Sequence, residues 1–141
     1  MLIRAAFEAE REYRALRDEL SHALGKRSLP FAVTGLCDGA SDGLCASLLC
    51  DLRTHGASLV LCAEEKECAR LAAYLSQAGL RTAVYTGRDL TFHNITASHE
   101  YEHERIRVLF GLTRGDFDVV LTTPDAALDR KSTRLNSSHV T

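Results

Sequence analysis

Ala57-Ser-Leu-Val-Leu-Cys-Ala63 and Phe117-Asp-Val-Val-Leu-Thr122 decide the fold of this chain. The first is continuously apolar, the pattern of a central parallel strand covered by helices on both faces. The second, entered through Asp118, is another buried strand of the same kind. Between them, residues 64–78 read as a helix with Cys68, Leu71, Ala72 and Leu75 on one side and Gly79 behind it. Residues 82–85 form a short strand, and residues 98–112 a helix whose apolar arc is Tyr101, Ile106, Val108, Leu109 and Leu112. Pro124 then opens a further helix, since proline is favoured in a first helical turn. Strands alternating with helices over short links predict an α/β fold with a parallel sheet and helices on both faces.

Upstream the alternation continues. Residues 31–35 read as a strand, and residues 41–53 as a helix with Leu44, Cys45, Leu48, Leu49 and Leu52 inward. Residues 2–24 read as one amphipathic helix, because Leu2, Ala6, Ala9, Tyr13, Leu16, Leu20 and Ala23 recur at alternating spacings of four and three. Gly25 is its expected stop. Such a helix either packs across its own domain or serves as an arm for another, and the first role is the commoner one. The expected division is residues 1–29 as helix and linker, 30–128 as the α/β domain, and 129–141 as a tail.

The tail breaks the pattern. Asp129-Arg-Lys-Ser-Thr-Arg-Leu-Asn-Ser-Ser-His139 is polar and aperiodic, and it interrupts a helix that has only begun. It resembles the translation of a sequencing-library adapter, and such scars are set aside in fold reasoning. Setting aside Asp129, Arg130, Lys131 and Arg134 moves the formal charge from −2 to −4.

Composition bounds the rest. The 141 residues are 45% hydrophobic and 26% charged, an ordinary globular balance and enough for one domain. A net charge of −2 gives no global electrostatic footprint for nucleic acid. Five cysteines (Cys37, Cys45, Cys50, Cys62 and Cys68) stand in apolar surroundings with no CxxC spacing, which fits reduced thiols in the cytoplasm. The N-terminus turns charged at Arg4 without an apolar signal region, and no apolar run is long enough to span a bilayer. The Asn94-Ile-Thr96 and Asn136-Ser-Ser138 triplets are read as chance.

The segment Ala32-Val-Thr-Gly-Leu-Cys-Asp-Gly39 occupies the place where P-loop proteins hold phosphates. There, backbone N–H groups and a helix N-terminus cradle the anion, a lysine reaches the β- and γ-oxygens, and a Ser or Thr holds Mg²⁺. With Thr34 and Gly35 aligned to that pattern, Asp38 stands in place of the lysine and Gly39 in place of the hydroxyl. Exchanging attraction for repulsion a few ångströms from a triphosphate costs several kcal/mol in a partly desolvated site. The loop is expected to be silent, either as a degenerate nucleotide site or as a plain turn.

A series of segments points further. Ala32-Val-Thr-Gly35, Leu59-Val-Leu-Cys-Ala-Glu64, Tyr85-Thr-Gly-Arg-Asp-Leu-Thr-Phe92, Glu102-His-Glu-Arg-Ile-Arg-Val-Leu109 and Asp118-Val-Val-Leu-Thr-Thr-Pro-Asp-Ala-Ala-Leu128 occur in order. Together they resemble the N-terminal region of the bacterial transcription-repair coupling factors (Mfd), which is similar to the first domain of the excision-repair helicase UvrB. The resemblance covers nearly all of residues 1–128. It implies a partial helicase-like (RecA-like) domain with a degenerate ATP site, serving as a non-catalytic structural and interaction module in transcription-coupled nucleotide excision repair. The family's motor, with its ATP and Mg²⁺, and its contacts with UvrA, RNA polymerase and double-stranded DNA belong to other parts of the full-length protein. The resemblance therefore implies no cofactor for these residues, and remaining domains of the same protein as their partners.

Other constellations compete with this reading. One alternative is an unrelated α/β binding module; another is a zinc-dependent hydrolase, since His99-Glu-Tyr-Glu-His103 matches HExxH, in which His99 and His103 would ligate zinc and Glu100 would act as general base. Its charged surroundings fit a solvated helix face better, with Glu102–Arg105 and Glu104–Arg107 spaced for i,i+3 ion pairs. His55 or His93 would have to supply the third ligand. Phe92, near Arg88 and His93, could stack on a base or simply pack. Cys37 lies near a helix start but beside Asp38, with no base partner in sight.

Overall fold

A computed structural model describes residues 2–26, 30–37, 39–87 and 95–128, with only the backbone of residues 2–3 and 95–99. Asp38, residues 88–94 and the tail lie outside the described residues, and with them the readings of Phe92, His93 and the adapter-like segment.

The elements run α1 (Leu2–Ala9), α2 (Arg11–Lys26), α3 (Ala40–Leu52), β1 (Ser58–Leu61), α4 (Glu65–Gln77), β2 (Thr82–Tyr85), α5 (Ile95–Arg114), β3 (Val119–Thr122) and α6 (Pro124–Leu128). The three strands make a parallel sheet in the order β1-β3-β2. The expected α/β class with a parallel sheet and helices on both faces is therefore present, though the sheet is small.

The central strand is β3, all four of whose residues are buried. Its side chains alternate between two cores. Val119 and Leu121 join Cys68, Leu71, Leu75 and Leu80 on the side covered by α3 and α4, where Val60 and Val84 also pack. Val120 joins Ala83 and Val108 on the side covered by α5, with Tyr85, Leu112 and Phe117 around them. Helix α4 buries Cys68, Leu71, Ala72 and Leu75, the stripe its periodicity predicts. Gly79, at φ 90°, takes the left-handed conformation that lets the chain turn from this helix toward β2.

Arg81 and Asp118 tie the entrances of β2 and β3 together. The Arg81 backbone N–H donates to Asp118 Oδ2 at 2.9 Å and its guanidinium to Oδ1 at 2.7 Å. This hydrogen bonding holds the Asp118 carboxyl below its ordinary range. A carboxyl depressed by folding stabilises the fold above its unfolded pKa, and that stability is lost as pH falls through the folded value. Asp118→Asn is expected to cost about 1 kcal/mol at pH 7, a figure kept low because Arg81 is more than half exposed. The difference between the urea midpoints of the two proteins should begin to shrink as pH falls below about 4 and go on shrinking with further acid. A gap of constant size from pH 7 to pH 2 would show that the charge is not the cause.

Four expectations need correction. The helix over residues 2–24 is broken at Glu10 into α1 and α2. The break lets both pieces reach one carboxylate on α3: Arg4 Nη2 donates to Asp51 Oδ1 and Tyr13 Oη to Asp51 Oδ2, each at 2.7 Å. The helix thus covers its own domain, burying Tyr13 and Ala23, while Ala6 and Ala9 stay exposed. Residues 31–35 are not a strand: among the described residues the sheet consists of β1, β3 and β2, and Phe31, Val33 and Leu36 are exposed. An extended segment without a paired neighbour has no ladder to hold it. The run over residues 57–63 is an edge strand covered on one face only, with Leu59 at 62% and Leu61 at 57% exposure.

Finally, α5 is turned from its expected arc, burying Arg105, Val108 and Gly111 while Ile106 and Leu109 face out. Two contacts set that rotation. The Phe117 ring lies against Gly111, where a Cβ would collide with it, and Arg105 is drawn over the Tyr85 ring.

Candidate functional site

Parallel α/β sheets place their ligands beyond the carboxyl ends of the strands. In this chain that edge is built from Cys62–Glu65 after β1, Thr86 and Gly87 after β2, and Thr123 and Pro124 after β3. The chain closes the edge on itself. Glu65 Oε1 accepts the Gly87 N–H at 2.9 Å, which ties the start of α4 to the end of β2. The Thr122 hydroxyl donates to the Tyr85 carbonyl at 2.7 Å across the β3–β2 seam. Glu67 Oε2 accepts the Ala63 N–H at 3.1 Å and so fastens the turn after β1.

Helix α3 starts at this edge too. Its N-cap is Gly39, left-handed at φ 81°, with no side-chain cap hydrogen bond. The first turn carries Asp42, whose carboxylate is paired with Arg70 of α4. A carboxylate in the first turn already meets the positive end of the helix dipole, the attraction a phosphate would otherwise use. Thr34 and Gly35 lie exposed in the irregular segment before it, and Gly35 is left-handed at φ 77°. The structure thus places Thr34, Gly35 and Gly39 on one exposed stretch leading into α3, without a strand feeding it. Asp38 lies outside the described residues.

Two arginines near this edge are engaged. Arg70 holds Asp42. Arg105, only 3% exposed, donates from Nη1 to the Thr86 carbonyl at 2.9 Å and sits 4.2 Å from the centre of the Tyr85 ring. Lys66 is exposed on the first turn of α4. Sequence reasoning placed Arg105 on a solvated helix face, which the structure corrects by burying it, and did not single out Asp42 or Arg70. No spacing rule marks these residues, because their partners lie 28 positions away for Asp42 and 19 for Arg105.

In comparisons with protein-family models, curated proteins and solved structures, nothing matches this chain.

The HExxH segment lies in the first half of α5. Glu100 and His103 are exposed there, and the side chain of His99 is outside the described residues. His55 belongs to the short 3-10 turn Arg53–His55 that enters β1, at the opposite end of the sheet. Among the described residues no three His, Cys, Asp or Glu side chains form a metal-holding group.

The cysteines divide by burial. Cys37 is exposed, Cys45 and Cys50 are half-buried, and Cys62 and Cys68 are buried. Burial pushes the Cys45 thiol up to about 11 and the Cys68 thiol up to about 12, the latter aided by a hydrogen bond with Cys62. Thiolates are the reactive form, so raised and buried thiols are slow. Under native conditions at pH 8, a disulfide reagent is expected to modify Cys37 first. Cys62 and Cys68 should follow only on unfolding, which peptide mass mapping would read; early modification of Cys68 would contradict this packing.

Proposed function

We propose that this chain is a non-catalytic structural and interaction module of the transcription-repair coupling factor family, a partial helicase-like (RecA-like) domain that does not hydrolyse ATP. The observation that carries the reading is the entry to α3. The lysine and hydroxyl positions of a phosphate loop are taken by Asp38 and Gly39, and the helix's first turn presents the Asp42 carboxylate. A nucleotide triphosphate there would meet carboxylate charge where it needs cations. The parallel sheet with helices on both faces is compatible with a helicase-like core; of the quoted segments, those starting at Leu59 and Asp118 lie on β1 and β3 and the turns after them, while Glu102–Leu109 lies on α5 and Ala32–Gly35 outside the sheet. In this reading ATP, Mg²⁺, UvrA, RNA polymerase and DNA are engaged by other parts of the full-length protein.

Titration calorimetry with Mg-ATP is expected to show no binding up to millimolar nucleotide. A micromolar Kd would overturn the degenerate-loop reading. The family assignment is tested separately, by the coding sequence downstream of Leu128 in the source genome. It requires a long continuation with intact helicase motifs.

A further inference from the structure

We infer that Cys62 and Cys68 are the site of an intrachain disulfide, which locks the turn after β1 to the first turn of α4 when the chain folds under oxidising conditions. Both thiols are buried in one core, at 6% and 1% exposure. They hydrogen-bond with each other, and the Cys68 sulfur also meets the Cys62 backbone. The chain between them is folded tightly. The Cys68 N–H donates to the Glu64 carbonyl at 3.1 Å, and the Ala63 N–H donates to Glu67 Oε2 at 3.1 Å. Two cysteines can be bridged only where the fold already brings their side chains together, and this pair meets that condition.

The other cysteines offer less. Cys45 and Cys50 lie on α3 five residues apart, about 140° around the helix from each other. The Cys50 thiol is turned to the Ala78 carbonyl at 3.9 Å. Cys37 is exposed in the segment before α3. Cys45 packs against the core that holds Cys62 and Cys68, which makes it the competing partner. The lock falls at the carboxyl edge of the sheet. Glu65, between the two cysteines, holds the Gly87 N–H, so a bridge here also steadies the seat of the tie to the end of β2. This inference does not require the coupling-factor reading.

The oxidant is a small disulfide, glutathione disulfide. The thiolate of one cysteine attacks one of its sulfurs, the glutathione S–S bond breaks, and one glutathione thiolate leaves. The thiolate of the second cysteine then attacks the protein sulfur of the mixed disulfide and releases the other glutathione. The two protein sulfurs are oxidised, the two glutathione sulfurs are reduced, and the two cysteine protons end on the two glutathione thiols. Burial, which pushes the Cys68 thiol up to about 12, keeps this exchange slow in the closed fold. The bridge therefore forms in the opened chain, in keeping with the labelling order above, and folding favours it by holding the two sulfurs together. The coupling is reciprocal: the factor that folding adds to the formation constant of the disulfide is the factor that the disulfide adds to folding.

The test equilibrates the 141-residue chain with reduced and oxidised glutathione in two states, refolded by dilution from urea and held in concentrated urea. Trypsin cuts after Lys66, so the disulfide joins the peptide Thr54–Lys66 to Glu67–Arg70, and mass mapping reads it directly. This linked pair is expected to be the main product of the refolded chain, with a formation constant about tenfold or more above that in urea. The oxidised chain should then resist urea unfolding by the same factor. Cys45→Ser should leave both results unchanged, and Cys68→Ser should remove the linked pair. The urea arm uses the same chain, so the comparison does not depend on a variant that folds. Equal formation constants in the two states would overturn the inference. So would a Cys45–Cys62 bridge as the main product, or an oxidised chain that unfolds more readily than the reduced one.

Discussion

Leu121→Ala is expected to lower the unfolding free energy by about 3–5 kcal/mol, while Leu59→Ala costs under about 0.5 kcal/mol. The two leucines occupy similar apolar runs, and the difference is entirely one of position. Leu121 is fully buried in the middle of the central strand, packed in the core that includes Leu75 and Val119. Truncating it removes the transfer energy of three carbons and leaves a cavity that the two flanking strands cannot close. Leu59 lies on the edge strand and is 62% exposed, so its truncation leaves no cavity. Domains of this size are stable by only about 5–15 kcal/mol, so the first substitution consumes a large share of the total. Urea denaturation followed by circular dichroism measures both. A Leu59→Ala loss above about 2 kcal/mol would mean that the α5 face of β1 is covered in solution.

The same contrast explains what was legible beforehand. Helix α4 could be read from Cys68, Leu71, Ala72 and Leu75 because a 3.6-residue period and the following glycine are local signals. Strand β2 could be read over residues 82–85 for a related reason: it is bounded by turn-forming Gly79 and Gly87. Which strand is central is not a local property. The runs at residues 57–63 and 117–122 are both largely apolar, and only the return crossover through α5 puts β3 between the other two. The strand expected at residues 31–35 failed on the same account, since extended propensity is realised only when a neighbouring edge accepts the backbone. At the carboxyl edge of the sheet, the Gly-containing loop was visible as a pattern, whereas the pairing of Asp42 with Arg70 depends on how α3 meets α4.

Arg105 shows the largest gap between sequence and structure, and its removal is the second large effect expected. On the helix wheel it looked like part of a solvated face, spaced to pair with Glu102, and it is the exposure that the fold overturns. In the fold it is 3% exposed, laid over the Tyr85 ring and donating to the Thr86 carbonyl. A guanidinium suits this seat because it is planar, stacks on an aromatic face and spreads its donors in a fixed fork. The hydrogen bond from a charged donor contributes about 1.5–3 kcal/mol, and the desolvated cation–π contact up to about 2 kcal/mol. Arg105→Ala is therefore expected to cost about 3–4 kcal/mol and to loosen the end of β2. Thr86 loses its donor, and of these two ties only that of Glu65 to the Gly87 N–H is left. Arg105→Met keeps the aliphatic stem under the ring and should recover roughly half of the loss. Arg105→Lys retains the charge without the planar fork and should fall short of wild type by about 1–2 kcal/mol. Thermal and urea unfolding of the three variants separate packing, charge and geometry. If lysine fully restores stability, charge alone holds this corner, and the stacked geometry on Tyr85 contributes nothing.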